Sequence, residues 1–393
     1  MTVEKLHGIA KLEFLDFCQK LIRTPGLSGE EQAVADVVTA QCLSMKFDSV
    51  QRDNLGNVIA IRNGTNDGPV VLLDGHMDVV PVEEPQLWRH EPHGGEISEG
   101  KIWGRGAADT RCSLASMIWA AGNMSETDIH GTIVVAATVC EENITGVALS
   151  PILDIYKPEV VITGEPTGLR LGVAQKGRMT LFLHSTGRSA HTSTPEAGEN
   201  AVEKMLDALS CLRDLKQPVD PDLGASILVL TEIISDPFPN GFSVPHGCHA
   251  RLIGRMIPGE DKTSVLGRIQ SGLASKPGID FQLGRIEQST YTGATIQVED
   301  FLPGWRNSLA DPWQLRLKAA LQKAGLCSEY FYAPCGTNAS ASAKRGISSF
   351  IYGPGELSQA HIVDEWVFVE DVIKAEMGLR VILSEILCGN PNK

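Results

Sequence analysis

Val70-Val71-Leu72-Leu73-Asp74-Gly75-His76-Met77-Asp78 is the stretch on which the reading of this chain turns. Four consecutive apolar residues read as a strand buried on both faces, the kind found in parallel sheets. Such a strand delivers the residues after it to its carboxyl end, where open α/β sheets place their ligands. In His-x-Asp on extended backbone the two side chains project to one face. Asp78 is therefore set to accept from the ring nitrogen of His76 that a metal leaves free.

Further along, two more apolar runs end in acid. Gly131 to Val139 leads into Cys140-Glu141-Glu142, and Pro158 to Thr163 into Gly164-Glu165-Pro166. Adjacent carboxylates at the end of a buried strand are costly unless positive charge faces them, and a metal supplies it. Asp109 opens a helix, Ser113 to Asn123, that is apolar nearly all round and so reads as buried. A last buried strand, Gly346 to Tyr352, ends in Gly353-Pro354-Gly355 and is followed by His361. Gly104-Arg105-Gly106-Ala107-Ala108-Asp109 looks superficially like a dinucleotide fingerprint. It has Asp in place of the third glycine and no regular βαβ unit after it, so that reading is set aside.

Before Val70, Leu12 to Ile22 has helical spacing, Ser28-Gly29-Glu30-Glu31 reads as the N-cap of a second helix, and Val58 to Ile61 as one arm of a hairpin with the Val70 strand. Pro81 to Gly100 reads as a long surface loop. From Gly177 the texture changes. Met179–Ser185, Asn200–Leu215, Ser226–Ile234, Cys248–Ile257, Lys262–Leu273 and Ile279–Leu283 alternate as β-α-β-β-α-β, the split βαβ pattern of a small α+β sandwich. Because the strand-then-ligand pattern resumes at Gly346, that unit is an insertion. The expected division is 1–176 and 289–393 for a catalytic domain in two parts, and 177–288 for the insert.

With 393 residues and 42% hydrophobic content the chain can bury a large core. A net charge of -14 argues against nucleic acid or an anionic membrane surface as partner. The 9 cysteines are scattered without a Cys-x-x-Cys pair and read as reduced thiols. Neither a signal-peptide core nor a membrane span is visible, so a cytoplasmic location is expected.

These motifs, in their order, resemble the metallopeptidase family that contains acetylornithine deacetylase, succinyl-diaminopimelate desuccinylase, zinc aminoacylase and glutamate carboxypeptidase. The likeness spans Ser28 to Glu31, Asp74 to Pro81, Gly104 to Asp109, Glu141-Glu142, Gly164 to Thr167, the region of His191 with Asn200-Ala201, and Gly353 to His361. Gln175-Lys176-Gly177-Arg178 and Phe350 to His361 are closest in texture to the bacterial YgeY-type hydrolases. The resemblance implies an α/β, mixed-sheet, zinc-peptidase-like catalytic domain with an inserted ferredoxin-like α+β dimerisation domain, and so a homodimer. It implies two divalent ions, Zn²⁺ first with Co²⁺ or Mn²⁺ as alternatives. His76, Asp109 and Glu165 would hold one, and Asp109, Glu142 and His361 the other, with Asp109 as the bridge.

It further implies Glu141 as general acid/base, Asp78 as the support of His76, and His191 as a residue that reaches the partner subunit's active site. Arg255 matches a residue that pairs with a substrate carboxylate. Ser243 stands where the family has Asn, and Thr337 and Asn338 lie in a loop, with Cys335, that resembles a pocket-lining segment. The function implied is hydrolysis of an amide in an N-acyl amino acid or small peptide, deacylase or carboxypeptidase in type, by a metal-bridged water that Glu141 activates. Glu rather than Asp at 165 favours those over aminopeptidases. The alternatives are hydrolysis of another C–N bond, N-carbamoyl or amine, and a non-catalytic metal-binding scaffold, which Glu141 speaks against. A nucleophilic role for Cys335 is set aside because no partnered base stands near it in the sequence. Singly, each of the other residues has an ordinary explanation: Asp109 as a helix cap, Glu165 as a turn carboxylate, His361 as a loop histidine. The ordered set does not.

Overall fold

The Val70 run forms the end of strand Asn66–His76, whose last six residues are all buried. Strands His130–Thr138 and Val160–Thr163 flank it, both parallel to it, and Ser348–Ile351 adds a fourth parallel strand beside Val160–Thr163. The four carboxyl ends therefore share one edge of the sheet. In the computed structural model, which describes residues 3–388 apart from Asn240 and side chains from Lys11 onward, this is the centre of a nine-stranded mixed sheet. Antiparallel strands Val58–Asn63 and Ser49–Arg52 lie on one side, and Leu171–Gln175, Trp305–Arg306 and Tyr330–Ala333 on the other.

Val58–Asn63 is not the hairpin partner of the Val70 strand, because His130–Thr138 lies between them. Its hairpin partner is Ser49–Arg52 across the Asp53–Asn57 turn, where Asp53 Oδ1 accepts from the N–H groups of Leu55, Gly56 and Asn57. Helix Cys112–Gly122 is buried along nearly its whole surface, as its composition predicts. Leu114, Met117 and Ile118 each contribute about 1.5–3 kcal/mol by leaving water. The C-terminal helix Val369–Leu387 packs on it, and Val3–Arg23 extends the helix expected from Leu12 to Ile22.

The insert folds as the split βαβ pattern predicts. Its antiparallel sheet runs Ile227–Asp236, Gly247–Arg255, Arg178–Thr186, Ile279–Leu283. Helices Ala201–Asp214 and Lys262–Leu273 cover one face, burying Met179, Leu181 and Leu183 against Met205, Ala208, Val265 and Ile269. Asn200 caps the first helix by accepting from the N–H groups of Val202 and Glu203. The opposite face carries Arg178, Thr180, Phe182 and His184. After the insert, where no strand was expected, Arg285–Ser289 pairs with Thr295–Glu299. This hairpin straddles the expected 288/289 boundary and seats on the large domain, with Tyr291 OH donating to Gly56 O at 2.7 Å. Gly56 has φ +98° and no room for a Cβ, which would lie 2.4 Å from the Tyr291 ring. The expected surface loop also gains order, since Glu96–Ser98 and Lys101–Trp103 pair with Trp366–Phe368 in a three-stranded sheet.

Candidate metal centre

At the shared edge, Asp109 offers one carboxylate oxygen to each of two histidines. Oδ1 is 3.1 Å from His76 Nε2 and Oδ2 is 3.0 Å from His361 Nε2. His361 Nε2 also lies 3.1 Å from Glu142 Oε1. Two groups of potential ligand atoms each fall within 4.8 Å of one another: His76, Asp109 and Glu142, and His76, Glu141 and Glu165. All the expected ligands thus converge with Glu141. Asp109 is not a helix cap. The helix starts at Cys112 with Arg111 before it and no side-chain cap, and both Asp109 carboxylate oxygens face the histidines rather than the helix N–H groups.

The electrostatics are those of too many anions. Burial opposes ionisation of Asp109, but its bonds to His361 and His76 outweigh that and hold it well below the usual carboxylate range. Burial pushes Glu165 well up, with Asp109 and Glu141 adding to it. Burial likewise pushes Glu141 up to about 8 against the pull of His76. His361 is raised to about 10 by its bonds to Asp109 and Glu142. Glu141 Oε1 is buried without a hydrogen-bond partner. Divalent ions suit this set. Ligand atoms on one tetrahedral ion with bonds of about 2.0–2.1 Å lie roughly 3.3 Å apart, close to the His–Asp109 separations.

Asp78 supports His76, but not in the way the spacing suggests. His76 Nδ1 lies 2.9 Å from the Asp78 carbonyl oxygen and 3.4 Å from Oδ1. The carboxylate itself accepts from the N–H groups of Glu141 at 3.0 Å and Glu142 at 3.1 Å, and from Ser28 Oγ at 2.6 Å. One buried aspartate therefore fixes both the histidine and the two glutamates. Ser28 is correspondingly not a helix cap: the helix begins at Gln32, and buried Glu31 accepts from Cys140 N–H.

Residues that sequence reasoning missed sit one step behind. Glu365, fully buried, accepts from the N–H groups of Ala108 and Asp109 through Oε1 at 2.9 and 3.1 Å, while Oε2 pairs with Arg105 Nη1 at 2.5 Å. Arg111, also fully buried, donates to the carbonyls of Leu21 at 2.6 Å and Met77 at 3.1 Å. The one available signal was an arginine on each side of Asp109 within an apolar segment.

Thr337 and Asn338, expected to touch substrate, are buried scaffold residues instead. Thr337 Oγ1 donates to Gln175 Oε1 at 2.6 Å, and Asn338 Nδ2 donates to Asp74 Oδ1 and Thr138 Oγ1 at 3.3 and 3.2 Å. Their polar groups face the strands beneath the site. Burial pushes the Cys335 thiol up to about 12, which disfavours the thiolate a nucleophile needs. His191 is exposed on the insert. Its Nδ1 lies 3.1 Å from Ser193 N, and its backbone bridges to Ser243. Arg255 ends strand Gly247–Arg255 and lines a cleft with Glu142.

A family model described as peptidase family M20/M25/M40 matches residues 72–383. The chain belongs to this family. It is a hydrolase of the metallopeptidase and deacylase kind, with a candidate metal centre of the family's type. The uncharacterized protein YgeY of Escherichia coli K12 is 27% identical over 364 residues, covering 89% of this chain and 88% of that protein. A succinyl-diaminopimelate desuccinylase of Maricaulis maris is 30% identical over 288 residues, covering 70% and 72%. Among solved structures, the Bacillus subtilis YXEP protein, described as a dinuclear metal binding peptidase from the M20 family, superposes with a TM-score of 0.71 at 15% identity over 97% of this chain and 99% of that one. Among the described residues no helix is long and apolar enough to cross a membrane.

Proposed function

We propose that this M20 hydrolase cleaves the amide bond of an N-acyl amino acid or small peptide, as a deacylase or carboxypeptidase, with two divalent ions at the strand ends. The observation that carries the reading is the pair of Asp109 oxygens, each facing a different histidine. His76, Asp109 and Glu165 would hold one ion, and Asp109, Glu142 and His361 the other. The imidazole and carboxylate donors suit Zn²⁺, and admit Co²⁺ or Mn²⁺. Such ions acidify a water and polarise the scissile carbonyl.

Glu141 belongs to neither set. Its buried, unpartnered oxygen is free to take a proton from the attacking water and to return it to the leaving nitrogen. Asp78 keeps the Glu141 backbone and the His76 ring in register for that transfer. Arg255 is the counter-ion for a substrate carboxylate, with Ser243 near the recognition end of the insert. His191, whose Nδ1 accepts from Ser193 N–H, has Nε2 as its donor, the form suited to a carbonyl oxygen.

We further propose that His191 serves the active site of a second copy. Strand Ile227–Asp236 is a sheet edge on which Ile227, Val229, Leu230, Ile233 and Ile234 are all exposed, a surface suited to strand pairing across a two-fold axis. Solution mass is the check, and a strict monomer contradicts it. The function is tested by a screen of N-acetyl, N-succinyl, N-carbamoyl and dipeptide substrates with Zn²⁺, Co²⁺ and Mn²⁺. Hydrolysis of an N-acyl amino acid or dipeptide is expected, and turnover of N-carbamoyl substrates alone contradicts it. The relatives named as succinyl-diaminopimelate desuccinylases support the deacylase branch.

A further inference from the structure

Glu141 and Glu142 share a single helical turn, Glu141–Ile144. So short a helix does not hold itself, because nucleation costs more than one turn of hydrogen bonds returns. It is closed by Ile144 N–H on the Cys140 carbonyl and by Thr145 Oγ1 on the Glu141 carbonyl, both at 2.9 Å. Its direction is therefore set from outside. The large domain fixes the entering end: Glu31 accepts from the N–H of Cys140, and Asp78 from those of Glu141 and Glu142.

The other side is gripped at Asn143, from two places at the margins of the insert sheet. Arg178, at the start of strand Arg178–Thr186, donates from Nη2 to the Asn143 carbonyl at 3.2 Å. Its Nε lies 3.4 Å from Asp300 Oδ1, which aims the guanidinium. Gln288, in hairpin strand Arg285–Ser289, accepts from Asn143 Nδ2 through Oε1 at 2.7 Å, while its Nε2 donates to the Ser289 carbonyl at 2.7 Å. The hairpin is itself pinned to the large domain. Tyr291 OH donates to Gly56 O and Thr292 Oγ1 to Asn54 O, both at 2.7 Å. Gly29 packs so closely on it that a Cβ there would lie 2.5 Å from the Ser289 carbonyl oxygen. Asn143 thus meets an acceptor that is already fixed.

We propose that Asn143 is a positioning residue: held by Gln288 and Arg178, it sets the turn that carries Glu141 and Glu142. This rests on the reading of Glu141 as the proton carrier and Glu142 as a metal ligand. Asn143 is exposed, and Ala is the better helix former, so stability alone gives no reason for Asn at this place. Its amide is explained by what it holds still.

Asn143→Ala and Gln288→Met, singly and together, test this on the metal-loaded enzyme with a substrate from the screen above. Each single variant should lower kcat by about tenfold with KM within about twofold, since a small displacement of the reacting groups costs turnover and not binding. The thermal midpoint of Asn143→Ala should not fall. The double variant should be no worse than the more damaging single one, because both substitutions remove the same bond. Chelator competition gives a readout that needs no substrate: one of the two ions should be held about tenfold more weakly, and the other as in the wild type. Values of kcat and of metal affinity within about twofold of the wild type in both single variants overturn the proposal. So do kcat losses that add in the double variant. If no compound in the screen is hydrolysed, the amide-hydrolase reading falls, and the chelator result alone decides for Asn143: weakening of one ion upholds its role, and wild-type affinity overturns it.

Discussion

The end of the large sheet and the open face of the insert are built in opposite ways. At the sheet end, His76, Asp109, Glu141 and Glu142 are held from behind: Asp78 gathers two backbone N–H groups and Glu365 two more. On the insert, His191 is exposed, and Arg255 has a guanidinium with no ion pair among the described residues. Rigid, pre-formed geometry is what metal ligation and proton transfer need, whereas recognition tolerates groups that become satisfied only when a substrate arrives. On the function proposed above, the two regions would divide the work into chemistry and recognition.

That division can be broken in steps. The largest effect should come from Glu141→Gln, which removes the proton carrier but no ligand. Turnover should fall by roughly 10² to 10⁴ while metal content stays that of the wild type. Steady-state kinetics beside elemental analysis checks it, and near-normal turnover would place the base elsewhere. His191→Ala, on the recognition side, should reduce kcat by about 10² to 10³, the scale of a lost donor to a developing oxyanion, again with metal intact. Mixing it with the Glu141 variant should restore part of the activity in confirmed heterodimers, and no restoration there would refute sharing between subunits. Glu365→Gln should act only on the chemistry side, weakening metal affinity by roughly 10- to 100-fold because Asp109 loses the anchor of its backbone. Chelator competition reads this, and unchanged affinity would make the Arg105–Glu365 pair a stability element alone.

The sequence carried this division unevenly. Candidate ligands such as His76, Glu142 and Glu165 were legible because each comes just after an apolar run, and parallel strands deliver their carboxyl-end residues to a single edge of the sheet. The insert was legible because its six segments keep clean periods of two and 3.6 residues. Glu365 was not, since its arginine partner is 260 positions away and no local pattern joins them. Ser28 was misread because Ser followed by acids resembles a helix cap until Asp78 is brought beside it. Thr337 and Asn338 were misplaced for a similar reason: a polar loop looks like a pocket wall, and only the packing shows that its side chains turn down onto Gln175 and Asp74. The hairpin after the insert escaped notice because its strands, Arg285–Ser289 and Thr295–Glu299, alternate half-buried and exposed residues with little apolar content.

The central claim is that Asp109 is shared by two ions while His76 serves one. Metal stoichiometry of the Asp109→Ala and His76→Ala variants, measured per folded chain after loading with Zn²⁺ and removal of free metal, tests it most directly. Near-complete loss from Asp109→Ala and retention of about one ion by His76→Ala is the result this account predicts, and equal loss from both would contradict it.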